Sequence, residues 1–170
     1  LGTANHLASL KLLERDELLP GQQGIGQIVT DAPVVCCWNQ PFVLRMESPA
    51  VTIAGGRILD PCAEKISFQN EQKLGFARGL ISEQDEQTRI ESAIGLKAFE
   101  NLTPTDLTRM TGVAAPSELI EKLILSGKVV EIKLSNSASQ LIHIGTMSSA
   151  QSHVEKVLNK LHDENPLSVN

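Results

Sequence analysis

The sequence predicts an α+β protein of two domains, a β-rich domain followed by a helical one. Short runs of β-branched and apolar residues fill the chain as far as residue 62. After Asp60-Pro61 the spacing of apolar residues changes from two towards about 3.6, the repeat of an α-helix. We therefore place the change of domain near residues 61–70. The predicted domains are 1–62 and 63–148, followed by a last helical segment at 149–170.

Five apolar runs, each bounded by turn-forming residues, predict the strands of the first domain. Pro, Gly, Asn or Asp stands between one run and the next. Strands of this length and spacing are typical of a small antiparallel barrel or sandwich. The runs are LASLKLL, IGQIVT, PVVCCW, FVLRM and VTIAGG.

Helix signals dominate the second domain. Thr103 and Asp106 form a capping box around a proline, which predicts the start of a short helix that ends at Gly112. A further helix is expected from Pro116 to just before Gly127, and the runs KVVEIKL and QLIHIG then predict a hairpin. Helix, short helix, helix and hairpin are the elements of a winged helix in their usual order.

Apolar residues at helical spacing indicate which faces these helices bury. Each set below lies on one face of its helix and predicts a side turned towards a core. The sets are Leu74, Ala77, Leu80 and Ile81; Ile90, Ala93, Ile94 and Ala98; Leu119, Ile120, Leu123 and Ile124; and Val154, Val157, Leu158 and Leu161.

The charge distribution excludes a broad nucleic-acid-binding surface. The net charge is -5, with four basic and six acidic residues in 1–62 and eleven and fourteen in 63–170. Aromatic residues make up 3% of the chain, too few for a platform that stacks unpaired bases. Any contact with nucleic acid is therefore expected to be local.

Two glycine-rich stretches, GQQGIG at 21–26 and IAGG at 53–56, raise the question of phosphate binding. Neither is followed by the Lys and Ser or Thr of a P-loop, and strand-type residues follow both where a dinucleotide-binding loop would open a helix. We interpret Gly55 and Gly56 as structural glycines at a bulge or barrel corner, where a side chain would collide with a neighbouring strand.

No catalytic or metal-binding constellation is visible in the sequence. The four histidines lie far apart, and Cys36 and Cys37, expected on opposite faces of a strand, do not form a CxxC pair. Three cysteines without framework spacing, together with no signal peptide and no membrane-spanning run, lead us to expect a cytoplasmic protein without membrane contacts. We expect this chain not to be an enzyme.

The predicted second helix of the winged-helix segment is poorly suited to DNA. Its expected exposed residues include Glu118, Glu121, Lys122 and Ser126. Carboxylates near the end of the helix that meets base edges would repel phosphates. This favours a structural or protein-contacting winged helix over one that reads nucleic acid.

The stretch PFVLRMESPAVTIAGGRILDP, residues 41–61, resembles the end of the third domain of the bacterial selenocysteine-specific elongation factors. That domain is a β-barrel similar to the C-terminal domain of elongation factor Tu, and a winged helix follows it in the family. Gly2-Thr3-Ala4, Pro20-Gly21 and Pro33-Val34 stand in matching order. Two positions depart from the family pattern. Ala54 stands where the family has the first of three glycines, and Asn39-Gln40 stands where the family often has Gly-Asp.

The resemblance implies a fragment of a translational GTPase that delivers selenocysteinyl-tRNA to the ribosome at recoded stop codons. Leu1 resembles the middle of the third domain, which implies an incomplete barrel here and places GTP and magnesium binding in a domain outside this chain. The mRNA hairpin would be held by winged helices beyond residues 165–167. The same resemblance places Arg45, Met46 and Glu47 near the tRNA, whereas an ion pair of Arg45 with Glu47 or Asp60 is the structural alternative.

Two other functions stay open at this point. One is a DNA-binding regulator that uses residues 85–145, with the β-barrel as a sensor domain. The other is a protein-interaction module that touches no nucleic acid. The acidic balance of both halves and the motif at 41–61 favour the translation factor over the regulator.

Overall fold

The computed structural model describes residues 5–64, 71–135 and 139–164, which form an α+β arrangement. The strands pair as three separate antiparallel hairpins, and within the described residues they do not close into a barrel. The elements are β1 (Ala8–Leu12), β2 (Gly26–Thr30), β3 (Pro41–Arg45), β4 (Thr52–Arg57), α1 (Glu71–Gly79), α2 (Glu86–Lys97), α3 (Pro104–Thr111), α4 (Pro116–Leu125), β5 (Val129–Lys133), β6 (Ser139–His143) and α5 (Ile144–Glu164).

The β1–β2 hairpin rests on helix α1. Leu13 directly follows β1 and Ile25 directly precedes β2. Their buried side chains form a small core with Leu74 of α1. Beside it the Glu14 carboxylate accepts a hydrogen bond from the Ile25 amide at 3.0 Å and pairs with Arg78 at 2.7 Å. The bond from Ile25 is the main cause that lowers the Glu14 pKa. Apolar packing and this ion pair together fix the hairpin on the helix.

The predicted strand at 33–38 is wrong, because these residues form an irregular segment between the two hairpins. Pro33 has no amide hydrogen to give to a ladder, and the Cys37 amide donates to the Gln40 side chain at 3.1 Å. Asn39 then takes a left-handed conformation with φ 62°. Because these residues form no strand, the expectation that Cys36 and Cys37 lie on opposite faces of a strand is also wrong.

Helix α2 lies at the centre of the helical half. Its apolar residues are buried as expected, except that Ala98 ends the helix and is only half-buried. Helices α1 and α2 cross closely, since a Cβ at Gly95 would overlap the Phe76 ring. Ile81 was expected on the buried face of α1, but it is 53% exposed because the helix ends at Gly79. The buried core consists of Leu80, Ile90, Ala93, Ile94, Leu96, Leu107, Met110, Val113, Leu123 and Val129.

The helix ends follow their local sequence signals. Thr103 and Asp106 form the predicted capping box of α3, and Gly112 ends that helix with φ 70°. Helix α4 begins at Pro116 and ends before Gly127, whose φ is 72°. Strands β5 and β6 then pair as the predicted hairpin, although residues 136–138 of its connection lie outside the described part.

Helix α5 follows β6 without a break and begins at Ile144, five residues before the predicted start at 149. The Gly145 amide donates to Nδ1 of His143 at 3.0 Å, which satisfies one free donor of the first turn. Farther along, Ser149 donates to the Gln72 side chain of α1 at 3.1 Å. The expectation that the apolar face of its second half turns towards a core is wrong for the described residues, because that face is about half exposed at Val154, Val157, Leu158 and Leu161.

Candidate functional site

The turn between β3 and β4 carries Arg45, Met46 and Glu47, which the family resemblance places near RNA. Arg45 is the last residue of β3, and a bulge in the ladder at this point pairs it with Thr52. Its guanidinium is exposed and donates one hydrogen bond, to the Ala50 carbonyl oxygen at 3.2 Å. The Met46 amide donates to Val51 at 2.9 Å and closes the turn.

Arg45 forms no ion pair with any residue that the structure describes. Asp60, one of its two candidate partners, pairs instead with Lys97 at 3.2 Å and is buried. Glu47 is exposed on the same turn. A guanidinium with four N–H donors left over can fork onto a phosphate.

The surroundings of the turn are apolar. Val43, Met46, Val51 and Ile53 are each about half exposed, between 47% and 59%. Because Glu47 offsets the charge of Arg45, the turn does not form a basic patch. Its chemistry fits one local contact to a phosphate, beside apolar contacts to a sugar or base.

Gly55 and Gly56 lie in the regular part of the β3–β4 ladder, opposite Val43 and Phe42. A Cβ at Gly56 would stand 2.6 Å from Cζ of the Phe42 ring, whereas one at Gly55 would come no closer than 3.4 Å to a backbone oxygen. The bulge lies earlier in β4, where Ala54 pairs with Leu44 and Thr52 pairs with Arg45. Gly56 therefore leaves room for an aromatic ring across the ladder.

The glycine-rich stretches do not fit a guanine nucleotide. Gly26 begins strand β2, and Gly55 and Gly56 lie inside β4, so neither stretch leads into a helix N-terminus that could bind a phosphate. No Lys followed by Ser or Thr stands after either of them. The residues of this chain thus provide no site for GTP and its magnesium at these positions.

The thiols of the described residues are free, and the burial of one of them affects its pKa. Cys36 is half-buried, and this burial, with the neighbouring Cys62 as a smaller cause, raises the pKa of its thiol. The described cysteines are unpaired, and no group of three His, Cys, Asp or Glu in the described ranges could hold a metal ion. None of the helices in the same ranges is long and apolar enough to span a membrane.

Helix α4 exposes the side chains expected from its sequence, with Glu118 and Glu121 among them beside Lys122 and Ser126. Among the described residues, none of these four forms an ion pair. The exposed face of α4 thus presents two carboxylates against one amine.

Sequence reasoning missed two buried cations of α2, Arg89 and Lys97, whose side chains are 4% and 5% exposed. Arg89 meets the ring of Trp38, and Lys97 meets Asp60. The sequence gives no sign of their burial, since cations at helical spacing normally face water. Trp38, the single tryptophan of the chain, was the one sequence feature that could have suggested a partner for a buried cation.

Comparisons with known proteins show what the β-rich part of the chain, residues 1–65, is similar to. A family model described as the beta-barrel domain of the selenocysteine-specific elongation factor matches residues 1–65. The chain is also 25% identical over 173 residues to the selenocysteine-specific elongation factor of Desulfomicrobium baculatum. That alignment covers 98% of this chain and 26% of the relative, so the chain spans about a quarter of the relative's length. No solved structure matches the chain.

Residues 1–65 are therefore similar to a domain of a translation elongation factor. More particularly, the chain is similar over nearly its whole length to a part of the selenocysteine-specific elongation factors, and the resemblance found at residues 41–61 is confirmed.

Proposed function

We propose that this chain is the part of a selenocysteine-specific elongation factor that contacts selenocysteinyl-tRNA through its β half. In the complete factor the tRNA would be delivered to the ribosome at a recoded stop codon. The observation that carries the proposal is the exposed Arg45 at a turn of the matched β-barrel domain, held by one hydrogen bond and no ion pair among the described residues.

The helical half fits the role of a winged-helix spacer. The order of α2, α3, α4 and the β5–β6 hairpin supports this assignment. The two exposed carboxylates of α4 argue against its binding nucleic acid. An mRNA hairpin would then be bound by other winged helices of the factor.

The proposed domains are the β half at 1–62, the winged helix at 63–148 and a connecting helix at 149–170. The long exposed apolar stripe of α5 is compatible with a helix that leads to another folded unit. The GTPase activity of the complete factor would belong to another domain, so this part has a binding role and no catalytic one.

A DNA-binding regulator is not favoured. It would need a basic face on the helix that enters the groove, and α4 presents Glu118 and Glu121 there. The match of residues 1–65 to an elongation-factor domain also supports the first proposal.

The proposal is tested with Arg45→Ala in the complete factor, by measuring selenocysteinyl-tRNA affinity over a range of salt concentrations. We expect weaker binding and a salt slope reduced by about one unit, as loss of one phosphate contact produces. Arg15→Ala is the matched control. Arg15 is also exposed and also makes one hydrogen bond in the described structure, to Gln22, but it lies outside the β3–β4 turn. Unchanged affinity and slope for Arg45→Ala would refute the assignment.

A further inference from the structure

The β3–β4 hairpin is attached to the helical half at both of its ends. At its start, the Trp38 indole Nε1–H donates to the Leu80 carbonyl oxygen at 3.0 Å. The same ring packs on Gly112 so closely that a Cβ there would stand 2.7 Å from ring carbon Cε3. The Arg89 guanidinium lies over the ring, with Cζ 4.5 Å from the centroid.

Arg89 is fixed independently of Trp38. Its Nε donates to the Thr111 carbonyl oxygen at 2.9 Å, and Nη1 donates to the carbonyl oxygens of Ser82 and Glu83 at 2.8 and 2.7 Å. A buried cation with this many partners keeps one orientation, because each lost bond would leave a buried donor unsatisfied. Trp38 thus binds to a rigid platform made by α2, the end of α3 and the α1–α2 connection.

At the other end of the hairpin, Lys97 of α2 holds the residues that follow β4. Its Nζ donates to the Cys62 carbonyl oxygen at 2.5 Å and pairs with the Asp60 carboxylate at 3.2 Å. Both partners of this ion pair are buried, with side chains 5% and 7% exposed. Removing either would leave a buried charge without its counterion.

The two attachment points are joined across the base of the hairpin. The Asn39 amide donates to Ile58 at 2.7 Å, and the Ile58 amide donates to Gln40 at 3.0 Å. Arg57 adds a bond from Nη1 to the Asn39 carbonyl oxygen at 3.0 Å. These bonds close the base of the hairpin. The base contacts α2 through Arg89 and Lys97, which lie about 12 Å apart along the helix.

We propose that Trp38 is a positioning residue for Arg45, and that this attachment keeps the RNA-facing turn in one orientation relative to the helical half. The inference rests on the proposed RNA contact of Arg45. Arg45 lies seven residues beyond Trp38, about 23 Å in an extended strand, so a tilt of about 10° at the base would move the turn by about 4 Å. A phosphate hydrogen bond does not survive such a shift.

The attachment is tested first without RNA, by ¹⁵N relaxation of this chain. In the wild type, amides of β3 and β4 are expected to have order parameters near 0.85, like those of α2, with the same rotational correlation time. Trp38→Ala is expected to lower the β3 and β4 values below about 0.6 while α2 is unchanged. Trp38→Phe, which keeps an aromatic ring on Arg89 and Gly112, is the matched control and is expected to retain most of the wild-type order.

If Trp38→Ala prevents folding, Lys97→Gln tests the other end, with a smaller loss of order expected in the same strands. A wild-type hairpin that already tumbles independently of α2 would overturn the inference. So would full order of β3 and β4 in both Trp38→Ala and Lys97→Gln.

The positioning role is tested in the complete factor. Trp38→Ala is expected to weaken selenocysteinyl-tRNA binding about tenfold with an unchanged salt slope, because Arg45 can still reach its phosphate once the hairpin is ordered, at a cost in entropy. Arg45→Ala is expected to lower the slope as well. Unchanged affinity of Trp38→Ala would overturn the positioning role alone, whereas unchanged affinity of Arg45→Ala would refute the RNA contact and leave the relaxation result standing.

Discussion

The glycine pair in β4 shows that the need for a glycine can depend on the residue opposite it in the adjacent strand. Gly56 lies opposite Phe42, whose ring takes the space that a Cβ would need, and Gly55 has ordinary room. The sequence predicts that both glycines are structural, and the structure shows a close approach at Gly56 alone. The sequence could not say which of the two is sterically required, because that depends on the rotamer of an aromatic ring in another strand.

Gly56→Val is therefore expected to destabilise the protein by more than the ~1 kcal/mol of ordinary glycine propensity. The Phe42 ring has to leave its place over the ladder, which adds an overpacking cost. Urea unfolding followed by Trp38 fluorescence measures the change, and Gly55→Ala is the control with a small expected effect. Equal unfolding midpoints for Gly56→Val and the wild type would show that the glycine has no steric role.

Elements whose signals are local were predicted well, and those that depend on distant partners were not. The capping box at Thr103, the stop at Gly112 and the β5–β6 hairpin all follow from residues within a few positions. The segment 33–38 has the composition of a strand, but it pairs with none of the described strands, and Trp38 at its end bonds the helical half. Periodicity alone does not reveal such a partner.

The capping box of α3 provides a pH-dependent test at the scale of one element. The Thr103 hydroxyl donates to the Asp106 carboxylate at 2.7 Å, and this bond, with that from the Thr103 amide, lowers the Asp106 pKa below its ordinary 3.8. A lowered folded-state pKa gives stability that is present above pH 3.8 and is lost as the pH falls through the folded-state value.

Asp106→Asn is expected to cost about 0.5–1 kcal/mol at neutral pH, since a neutral amide accepts these bonds more weakly. The difference from the wild type should shrink as the pH falls below 3.8, because the wild-type carboxyl becomes neutral too. Denaturant unfolding at pH 7 and pH 3 measures it. A difference that stays constant over this range would exclude the charge of Asp106 as its cause.

At the scale of the whole molecule, the change of periodicity after Asp60-Pro61 correctly predicted an α+β chain with a β-rich part before the helices. The barrel or sandwich expected in that part appears among the described residues as two separate hairpins. The contact between the halves could not be predicted. It depends on the burial of Arg89 and Lys97, and a sequence shows a cation on a helix without showing what covers it. Apolar contacts add to this connection, because Leu59 packs against both cores and Leu13 and Ile25 pack with Leu74 of α1.

We expect the chain alone to bind no GTP, because its glycine-rich stretches lie at or in strands and lack the Lys and Ser or Thr that hold phosphate and magnesium. Isothermal titration calorimetry with GTP and magnesium should give no heat of binding. Micromolar affinity would contradict the structural interpretation of both stretches.

The most direct test of the RNA-facing turn is a photocrosslink from Met46 in the complete factor bound to selenocysteinyl-tRNA. Met46 is 47% exposed next to Arg45, and Val29, 57% exposed in the other hairpin, is the control position. A photoreactive residue at Met46 is expected to crosslink to the tRNA, and one at Val29 is not. Crosslinking to the tRNA from Val29 but not from Met46 would contradict the proposal that the β3–β4 turn faces the tRNA.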